Sequence, residues 1–276
     1  MVEEMIFDLH SHTSFSDGVL APRELVLRAI DKGVGALAIT DHDTVDAYRD
    51  LPVVGTEIRI IAGIEFSTQW ENSGIHVLGL NIDPGSEAIV AGTRFQTDAR
   101  MRRALRIGEN LEKKGLAGAY EGAAGLSTGG YIGRPHFAHY LVNSGQVDSV
   151  EAAFKKYLGA GKAGDVRQHW AELPQIIQWI RDGGGIAVLA HPLKYKMTRT
   201  RLRRLLDRFI AEGGQGMEVV SGKQLPYQTT DMAKLCEEKS LLASCGSDFH
   251  RPDKIWAELG KFAPLPGNVT PVWDRF

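Results

Sequence analysis

The sequence predicts an α/β protein in which short buried strands alternate with amphipathic helices. Short apolar runs recur along the chain, and segments with helical spacing of apolar residues lie between them. The alternation holds from the first residues to about position 90 and again from about 166 to the end. Hydrophobic residues make up 43% and charged residues 24% of the 276 residues, so the chain can bury a core and disorder is excluded.

Seven apolar runs are the candidate strands. In chain order they are Met5–Phe7, Ala36–Thr40, Ile58–Ile64, Ile75–Leu80, Ile186–Ala190, Met217–Val220 and Leu241–Cys245. Two of the intervening helices have clear ends, because proline suits a first helical turn and glycine a last one. One begins near Pro22 and stops at Gly33, and another runs from Pro174 to the glycines at 183–185.

Between about 91 and 165 the alternation fails, and the pattern is typical of consecutive helices. Phe95, Leu105 and Leu111 are among the apolar positions of this stretch. Its Gly/Ala-rich part, Gly115–Gly130, predicts a short helix with irregular ends. We therefore expect an α/β core formed by 1–90 and 166–276, and an inserted helical subdomain at 91–165.

Charge and cysteine content exclude several classes of protein. The chain has 32 Lys plus Arg against 34 Asp plus Glu, a net charge of −2, so it lacks the global basic field of a protein that binds long duplex nucleic acid. Its two cysteines, Cys236 and Cys245, indicate neither a disulfide framework nor a Cys-type zinc site and fit a reducing cytoplasm. The N-terminal residues lack the long apolar run of a signal peptide, and no later segment has the pattern of a membrane span, so we expect neither.

Metal-compatible side chains lie at the ends of almost every candidate strand. They are His10-Ser11-His12 with Asp17, Asp41-His42-Asp43, Glu65, His76, His191 and Asp248-Phe249-His250. Residues i and i+2 of a strand point to the same face, so His10 and His12 can bind one ion together. In β/α barrels the carboxyl ends of the strands meet, so ligands that are scattered along the sequence can converge there.

A lone histidine such as His76 on an apolar strand is more often a core residue than a ligand. The whole set changes this interpretation, because burying so many unpaired charges without ions would cost several kcal/mol for each. Imidazole and carboxylate ligands without thiolate suit Mn²⁺, Zn²⁺ or Fe²⁺ in an open catalytic site. Asp41 and Asp43 flank His42, and two roles stay open for them: orienting its free ring nitrogen, or capping the loop.

Five motifs together resemble the PHP family of metal-dependent phosphoesterases, and they span the chain. They are Asp8–Thr13, Ile39–Thr44, Gly63–Glu65, Ala190–Pro192 and Gly246–His250. Three further segments are similar to the subgroup that contains 3',5'-nucleoside bisphosphate phosphatase and ribonuclease AM, a 5'-to-3' exoribonuclease. These segments are Trp70–Asn72, Gly133–Phe137 and Phe154–Leu158.

The resemblance implies a distorted seven-stranded β/α barrel formed by 1–90 and 166–276, with the helical insertion at 91–165 covering the active site. It also implies three divalent metal ions, with Mn²⁺ favoured over Zn²⁺ and Fe²⁺. One ion would bind His10, His12, Glu65 and Asp248, a second would share Glu65 and add His76 and His191, and the third would bind Asp17, His42 and His250.

The expected reaction is hydrolysis of a phosphate ester by a metal-bridging hydroxide. Clustered ions acidify a bound water and neutralise charge on the phosphate, and the sequence has no Ser or Cys in a nucleophile-elbow pattern. The leading hypothesis is a phosphatase that removes the 3'-phosphate of nucleoside 3',5'-bisphosphates and leaves the 5'-monophosphate. The alternative is a 5'-to-3' exoribonuclease that acts on short 5'-phosphorylated RNA.

Substrate selection calls for cations that hold a second phosphate away from the metal ions. Arg100 and Arg103 are three residues apart on a predicted helix, Arg134 and His136 follow a glycine, and Lys162 lies between two glycines. The same positions match the bisphosphate phosphatase subgroup, although each arginine could instead belong to a solvated helical face. We expect these five residues to bind substrate.

Two hypotheses from other classes are less well supported. The His10-Ser11-His12 motif also resembles the start of metal-dependent amidohydrolases and deaminases, but the ligands of the third ion and the nearby arginines argue against cleavage of a C–N bond. A non-catalytic metal-binding module is weaker still, because no ligand position is missing. In such a module the metal ions would serve stability or the docking of a partner, and the sequence identifies no protein partner.

Overall fold

A computed structural model describes residues 5–49, 51, 57–127, 132–166 and 170–276. It contains a sheet of seven strands that pair with one another in chain order. The strands are β1 (Ile6–Asp8), β2 (Val34–Ile39), β3 (Arg59–Trp70), β4 (Ser73–Leu80), β5 (Ile186–Leu189), β6 (Gly216–Ser221) and β7 (Leu242–Gly246). Neighbouring strands are parallel, except that β4 runs antiparallel to both β3 and β5.

The two edges of this sheet meet, so it forms a nearly closed barrel. The backbone N–H of Leu9 donates to the carbonyl of Cys245 at 3.0 Å, and that of Asp248 donates to the carbonyl of His10 at 2.9 Å. The first bond links the segment after β1 to β7, and the second links the same segment to the loop after β7. The predicted fold class, a distorted seven-stranded barrel, is therefore confirmed.

Eight α-helices occur in the described residues. They are α1 (Pro22–Asp31), α2 (Glu87–Glu112), α3 (Ala119–Gly125), α4 (Arg134–Asn143), α5 (Val150–Ala153), α6 (Leu173–Asp182), α7 (Arg199–Ala211) and α8 (Pro226–Glu238). The chain divides into two compact units, a barrel unit made of Met1–Thr93 and Ala171–Phe276, and a helical unit made of Arg94–Trp170. None of the described helices is long and apolar enough to cross a membrane.

Both faces of the barrel strands are buried, which explains why they read as continuous apolar runs. In β2, Ala36 and Ala38 pack inside the barrel, whereas Leu37 packs outside against α1. In β4, Leu78 joins the interior and Val77 the outer layer that includes α6. Side chains of a strand alternate between its two faces, so each strand contributes to both layers.

The helical unit has a core of its own. Leu111, Phe137, Leu141 and Leu158 are fully buried in one cluster with other apolar side chains of this unit. The apolar position Leu105 that the sequence singled out is exposed on α2. The predicted short helix within Gly115–Gly130 is α3, although residues 128–130 lie outside the described residues.

Candidate metal centre

Most of the predicted ligands lie just beyond the carboxyl ends of parallel strands. His10 and His12 follow β1, His42 follows β2, His191 follows β5, and Asp248 follows β7. His191 and Asp248 have left-handed backbone angles, with φ of 27° and 55°. Non-glycine residues adopt this conformation at a cost of about 1 kcal/mol or more, which is common where a loop aims a side chain into a functional site.

Glu65 and His76 reach the ligand cluster from positions within the antiparallel strands β3 and β4. The sequence predicted that the first of these strands ends at Ile64, but β3 continues to Trp70 because it forms a hairpin with β4. The pairing sets Glu65 opposite Leu78, and His76 lies two residues before Leu78 on the same face. The hairpin register therefore brings both side chains to the inner face of the barrel.

The first group of ligand atoms has the dimensions of a metal site. His10 Nε2 and His12 Nε2 are 3.1 Å apart. Glu65 Oε2 lies 3.3 Å from each of them, and Asp248 Oδ1 lies 3.4 Å from the first and 3.3 Å from the second. Ligand atoms that share an ion at 2.0–2.2 Å are ~3 to 3.5 Å apart, so these four atoms can hold one ion.

The second group uses the other oxygen of Glu65. Glu65 Oε1 lies 2.9 Å from His76 Nδ1 and 2.9 Å from His191 Nε2, and the two nitrogens are 3.3 Å apart. Glu65 thus contributes one oxygen to each of two neighbouring groups. This is the arrangement of a carboxylate that bridges two ions.

The third group is more open. Asp17 Oδ1 lies 3.2 Å from His250 Nε2, and Asp17 Oδ2 lies 3.7 Å from His42 Nε2. His12 Nδ1 is 3.8 Å from Asp17 Oδ1, so this group adjoins the first. The structure thus brings all nine predicted ligands together; their binding of metal stays a prediction.

The buried oxygens of this cluster call for cations. Among the described residues, neither Glu65 Oε2 nor Asp17 Oδ1 accepts a hydrogen bond, although both atoms are buried. Burial alone would raise the pKa of Glu65, but His42 and His10 outweigh it and hold the pKa well below the usual value, so Glu65 is charged. A buried carboxylate oxygen without a partner is costly, and a divalent ion would compensate it. The residues therefore fit metal ions.

Glu218 on β6 supports two of the ligands, and sequence reasoning missed it. Its fully buried carboxylate accepts a hydrogen bond from His10 Nδ1 at 3.0 Å and another from the backbone N–H of His191 at 2.5 Å. Without a metal ion, burial lowers the pKa of His10, but the carboxylates of Glu218 and Glu65 outweigh it and raise the pKa to about 10, so a metal ion would have to displace the proton on Nε2. A hydrogen bond from Nδ1–H leaves Nε2 free to face a metal ion. The signal in the sequence was a single acid inside the apolar run Met217–Val220.

Lys194 is a second residue that sequence reasoning missed. It lies three residues after His191, in the turn that follows β5, and its ammonium group contacts the carboxylate of Asp248. Burial lowers the pKa of Lys194, while Glu218 and Glu65 act in the opposite direction. The cluster thus includes a cation of the protein next to one of the candidate ligands.

The loops that carry the ligands are held by polar contacts and by close packing. Asp41 accepts from the backbone N–H of Thr13 at 2.7 Å and from the hydroxyl of Ser16 at 2.5 Å, so it anchors the loop after β1. A Cβ at Gly246 would lie 2.6 Å from the backbone nitrogen of His10. Glycine at that position lets the end of β7 approach the first ligand loop.

The five predicted substrate-binding residues all lie in the helical unit. The Arg100 guanidinium is 4.6 Å from the centre of the Trp170 ring, and Arg103 is largely buried. Arg134 donates to the carbonyl of Leu158 at 3.1 Å. His136 Nδ1 accepts from the backbone N–H of Gly133 at 3.1 Å, which caps α4, and Lys162 is exposed. These contacts are structural, and the role in substrate binding stays a prediction.

Comparison with known proteins shows similarity over nearly the whole chain. A sequence profile of the PHP domain matches residues 8–219. A 5'-3' exoribonuclease of Haemophilus influenzae is 44% identical over 98% of this chain and 98% of its own length. A 3',5'-nucleoside bisphosphate phosphatase of Chromobacterium violaceum is 39% identical over 96% of this chain and 94% of its own length. The solved structure of an amidohydrolase from Chromobacterium violaceum, with bound sulfate and no metal, has a TM-score of 0.87 at 38% identity, covering 98% of this chain and 95% of that one.

Proposed function

The chain belongs to the PHP family of metal-dependent phosphoesterases, and from this membership we propose that it hydrolyses the 3'-phosphate of nucleoside 3',5'-bisphosphates. The products are the nucleoside 5'-monophosphate and inorganic phosphate. The observation that carries the proposal is the convergence of nine His and carboxylate ligands, in four overlapping groups, at one end of the barrel. Such a site suits a phosphoryl group with several charged oxygens.

We propose three divalent ions, with Mn²⁺ favoured and Zn²⁺ or Fe²⁺ as alternatives. When bound, such ions acidify a water molecule and neutralise charge on the phosphate oxygens. Imidazole and carboxylate donors without thiolate support this choice of metals. The groups at His10/His12 and at His76/His191 would share Glu65, and the third would use Asp17 with His42 and His250.

The protein's own residues hold and orient these donors. Glu218 keeps the proton of His10 on Nδ1, so that Nε2 faces the other ligand atoms. Lys194 adds a positive charge beside Asp248, where an oxygen of the substrate phosphate can pair with it. The hydroxyls of Thr13 and Ser16 both donate to Asp41 at 2.5 Å and thereby hold the loop after β1. Because the chain has no Ser or Cys in a nucleophile-elbow pattern, the proposed attacking group is water.

A second substrate, 5'-phosphorylated RNA, is favoured by the similarity to the exoribonuclease of Haemophilus influenzae. The same bond is broken in both reactions, namely the bond between O3' of the first nucleoside and the neighbouring phosphorus. In the bisphosphate the other three oxygens on this phosphorus are not esterified. In RNA one of them is esterified to the next nucleoside. Water adds to phosphorus and O3' leaves as an alcohol, so a single site can serve both substrates.

The test compares the two substrates on one preparation. The Mn²⁺-loaded protein is incubated with adenosine 3',5'-bisphosphate and, separately, with a 5'-phosphorylated RNA trimer, and kcat/KM is measured for each. We expect release of phosphate from the first and of a 5'-monophosphate from the second. Ammonia release from adenosine 5'-monophosphate, with neither of those products, would instead favour a deaminase, and inactivity towards all three would favour a binding module.

Arg134→Ala is expected to raise KM for substrates that carry a 5'-phosphate by about tenfold or more, because a charge-assisted hydrogen bond is lost. We propose that Arg134 binds this phosphate together with Arg100, Arg103, His136 and Lys162. Adenosine 3'-monophosphate, which has no 5'-phosphate, serves as the control substrate. An equal rise in KM for the control would contradict the role, and the melting temperature reports any loss through the contact with Leu158.

We propose a cytoplasmic location for the reaction. Cys236 and Cys245 are both buried and form no disulfide. Burial raises the pKa of Cys236 to about 12, so this thiol stays protonated and unreactive. Two unpaired thiols fit a reducing compartment.

A further inference from the structure

Four large apolar side chains are exposed on the segments that follow β6 and β7, two of them at the start of α8 and two in the short helical turn after the β7 loop. They are Leu225, Tyr227, Ile255 and Trp256, whose side chains are 56%, 63%, 81% and 54% exposed. We call them the apolar patch. Exposed aromatic residues that gather in one region are typical of binding surfaces rather than of ordinary solvent-facing loops.

Main-chain contacts hold these two segments side by side. The backbone N–H of Lys223 donates to the carbonyl of Trp256 at 2.8 Å, and that of Gly222 donates to the carbonyl of Gly246 at 2.8 Å. Gly222 has a φ of +60°, and a Cβ there would lie 3.0 Å from the carbonyl oxygen of Ser247 and 3.2 Å from that of Trp256. Glycine at 222 thus permits a contact that fixes the patch next to the start of the ligand loop.

The patch is continuous with the metal centre along the chain. Asp248 and His250 stand on the loop that leads to Ile255 and Trp256. Lys223, Ile255 and Lys261 also line one cavity of about 430 Å³. Both segments leave the carboxyl end of the barrel, the end at which the candidate ligands gather.

The charge around the patch suits a polyanion. The ammonium group of Lys254 lies 4.9 Å from the centre of the Trp256 ring. Lys223, Lys254 and Lys261 form no ion pair with any residue that the structure describes, whereas the nearby Asp253 is paired with Arg251. Aromatic rings that alternate with unpaired lysines are the usual means of binding single-stranded nucleic acid, because bases stack on the rings and phosphates pair with the cations.

We infer that the apolar patch binds the nucleotides of a single-stranded RNA on the 3' side of the bond that is cleaved. The inference rests on the proposed function, and it adds a second binding surface to the same site. These downstream nucleotides are the part of RNA that a nucleoside 3',5'-bisphosphate lacks. The patch therefore strengthens the binding of RNA and leaves the binding and hydrolysis of the nucleoside bisphosphate unchanged.

The test uses Tyr227→Ala, Trp256→Ala and the double variant in the metal-loaded full-length protein. For a 5'-phosphorylated RNA hexamer, we expect KM to rise about fivefold or more for each ring removed. For adenosine 3',5'-bisphosphate, KM and kcat should stay at the wild-type values. Tyr227→Phe and Trp256→Phe should restore most of the hexamer KM, because a phenyl ring still stacks.

The controls separate stacking from general effects. The contact between Lys223 and Trp256 uses main-chain atoms, so it survives the substitution of either ring. Leu27→Ala changes an apolar side chain on α1 that is as exposed as Trp256 and should leave both substrates unaffected. An unchanged hexamer KM in the double variant, or an equal change for both substrates, would overturn the inference.

Binding is also measured without cleavage, so that the patch is tested even if the proposed reaction fails. The probe is a phosphorothioate-linked RNA hexamer, followed by fluorescence anisotropy with the metal-loaded protein. Weaker binding by the double variant supports the patch whatever the wild-type protein hydrolyses. Loss of self-association in sedimentation, with hexamer binding unchanged, would show that the patch is a protein interface and would refute the RNA assignment.

Discussion

Asp248→Asn is expected to lower kcat by about 10³-fold or more while the barrel remains folded. The carboxylate oxygen Oδ1 of Asp248 lies 3.4 Å from His10 Nε2 and 3.3 Å from His12 Nε2, within the first group of ligand atoms. A neutral amide of the same shape binds a divalent ion much less tightly. The lowered kcat therefore comes from weaker stabilisation of the transition state and not from altered packing of the barrel.

His12→Ala should have a comparable effect on kcat, because it removes a nitrogen from the same group. The backbone N–H of His12 donates to the carbonyl of Phe249 at 2.9 Å, and this contact with the β7 loop survives the substitution. Turnover, bound metal by elemental analysis, and circular dichroism are measured together. Asp207→Asn on the exposed side of α7 is the matched control, and wild-type rates in both ligand variants would refute the metal centre.

Glu218→Gln is expected to lower metal affinity or activity by about 10- to 100-fold. Glutamine has nearly the same shape, but it offers one acceptor oxygen and no charge. It cannot both hold the proton of His10 on Nδ1 and accept from the backbone N–H of His191 as the carboxylate does. His10 then loses its preferred tautomer, and Nε2 becomes a poorer ligand.

A metal titration distinguishes this positioning role from a purely structural one. If Glu218 acts through His10, activity of the variant should recover partly as the Mn²⁺ concentration is raised, and the half-saturating concentration should shift upwards. Glu238→Gln, an exposed residue that pairs with Arg203, serves as control. A lowered kcat at saturating metal, with unchanged metal affinity and a lowered melting temperature, would contradict the proposed role.

Sequence reasoning succeeded where a local pattern carries the information. Proline and glycine marked the ends of α1 and α6, and short apolar runs marked the strands. The pair His10 and His12 was recognisable because the two-residue period of an extended chain puts both side chains on one face. The resemblance to PHP proteins then supplied the seven-stranded barrel, which the structure confirms.

Sequence reasoning failed where the outcome depends on contacts with distant parts of the chain. Glu218 lies between the apolar residues Met217 and Val219 in a strand with both faces buried. The alternation of polar and apolar residues that would show which way its side chain points is therefore hidden. The end of β3 was misplaced at Ile64 because a hairpin with β4 extends the strand, and pairing with a partner strand is not written in the strand's own residues. Leu105 has the same apolar character as Leu111, yet only Leu111 is buried.

The order of helices and strands, and the kinds of donor atoms available to a metal, follow from the sequence by itself, because they depend on neighbours a few residues apart. Only the tertiary structure decides which atoms share a site. His10 and Glu218 are 208 positions apart in the chain and 3.0 Å apart in space, and that distance depends on the closure of the barrel and on the registers of its strands. Both are set by packing and hydrogen bonds between distant segments, which no local pattern records.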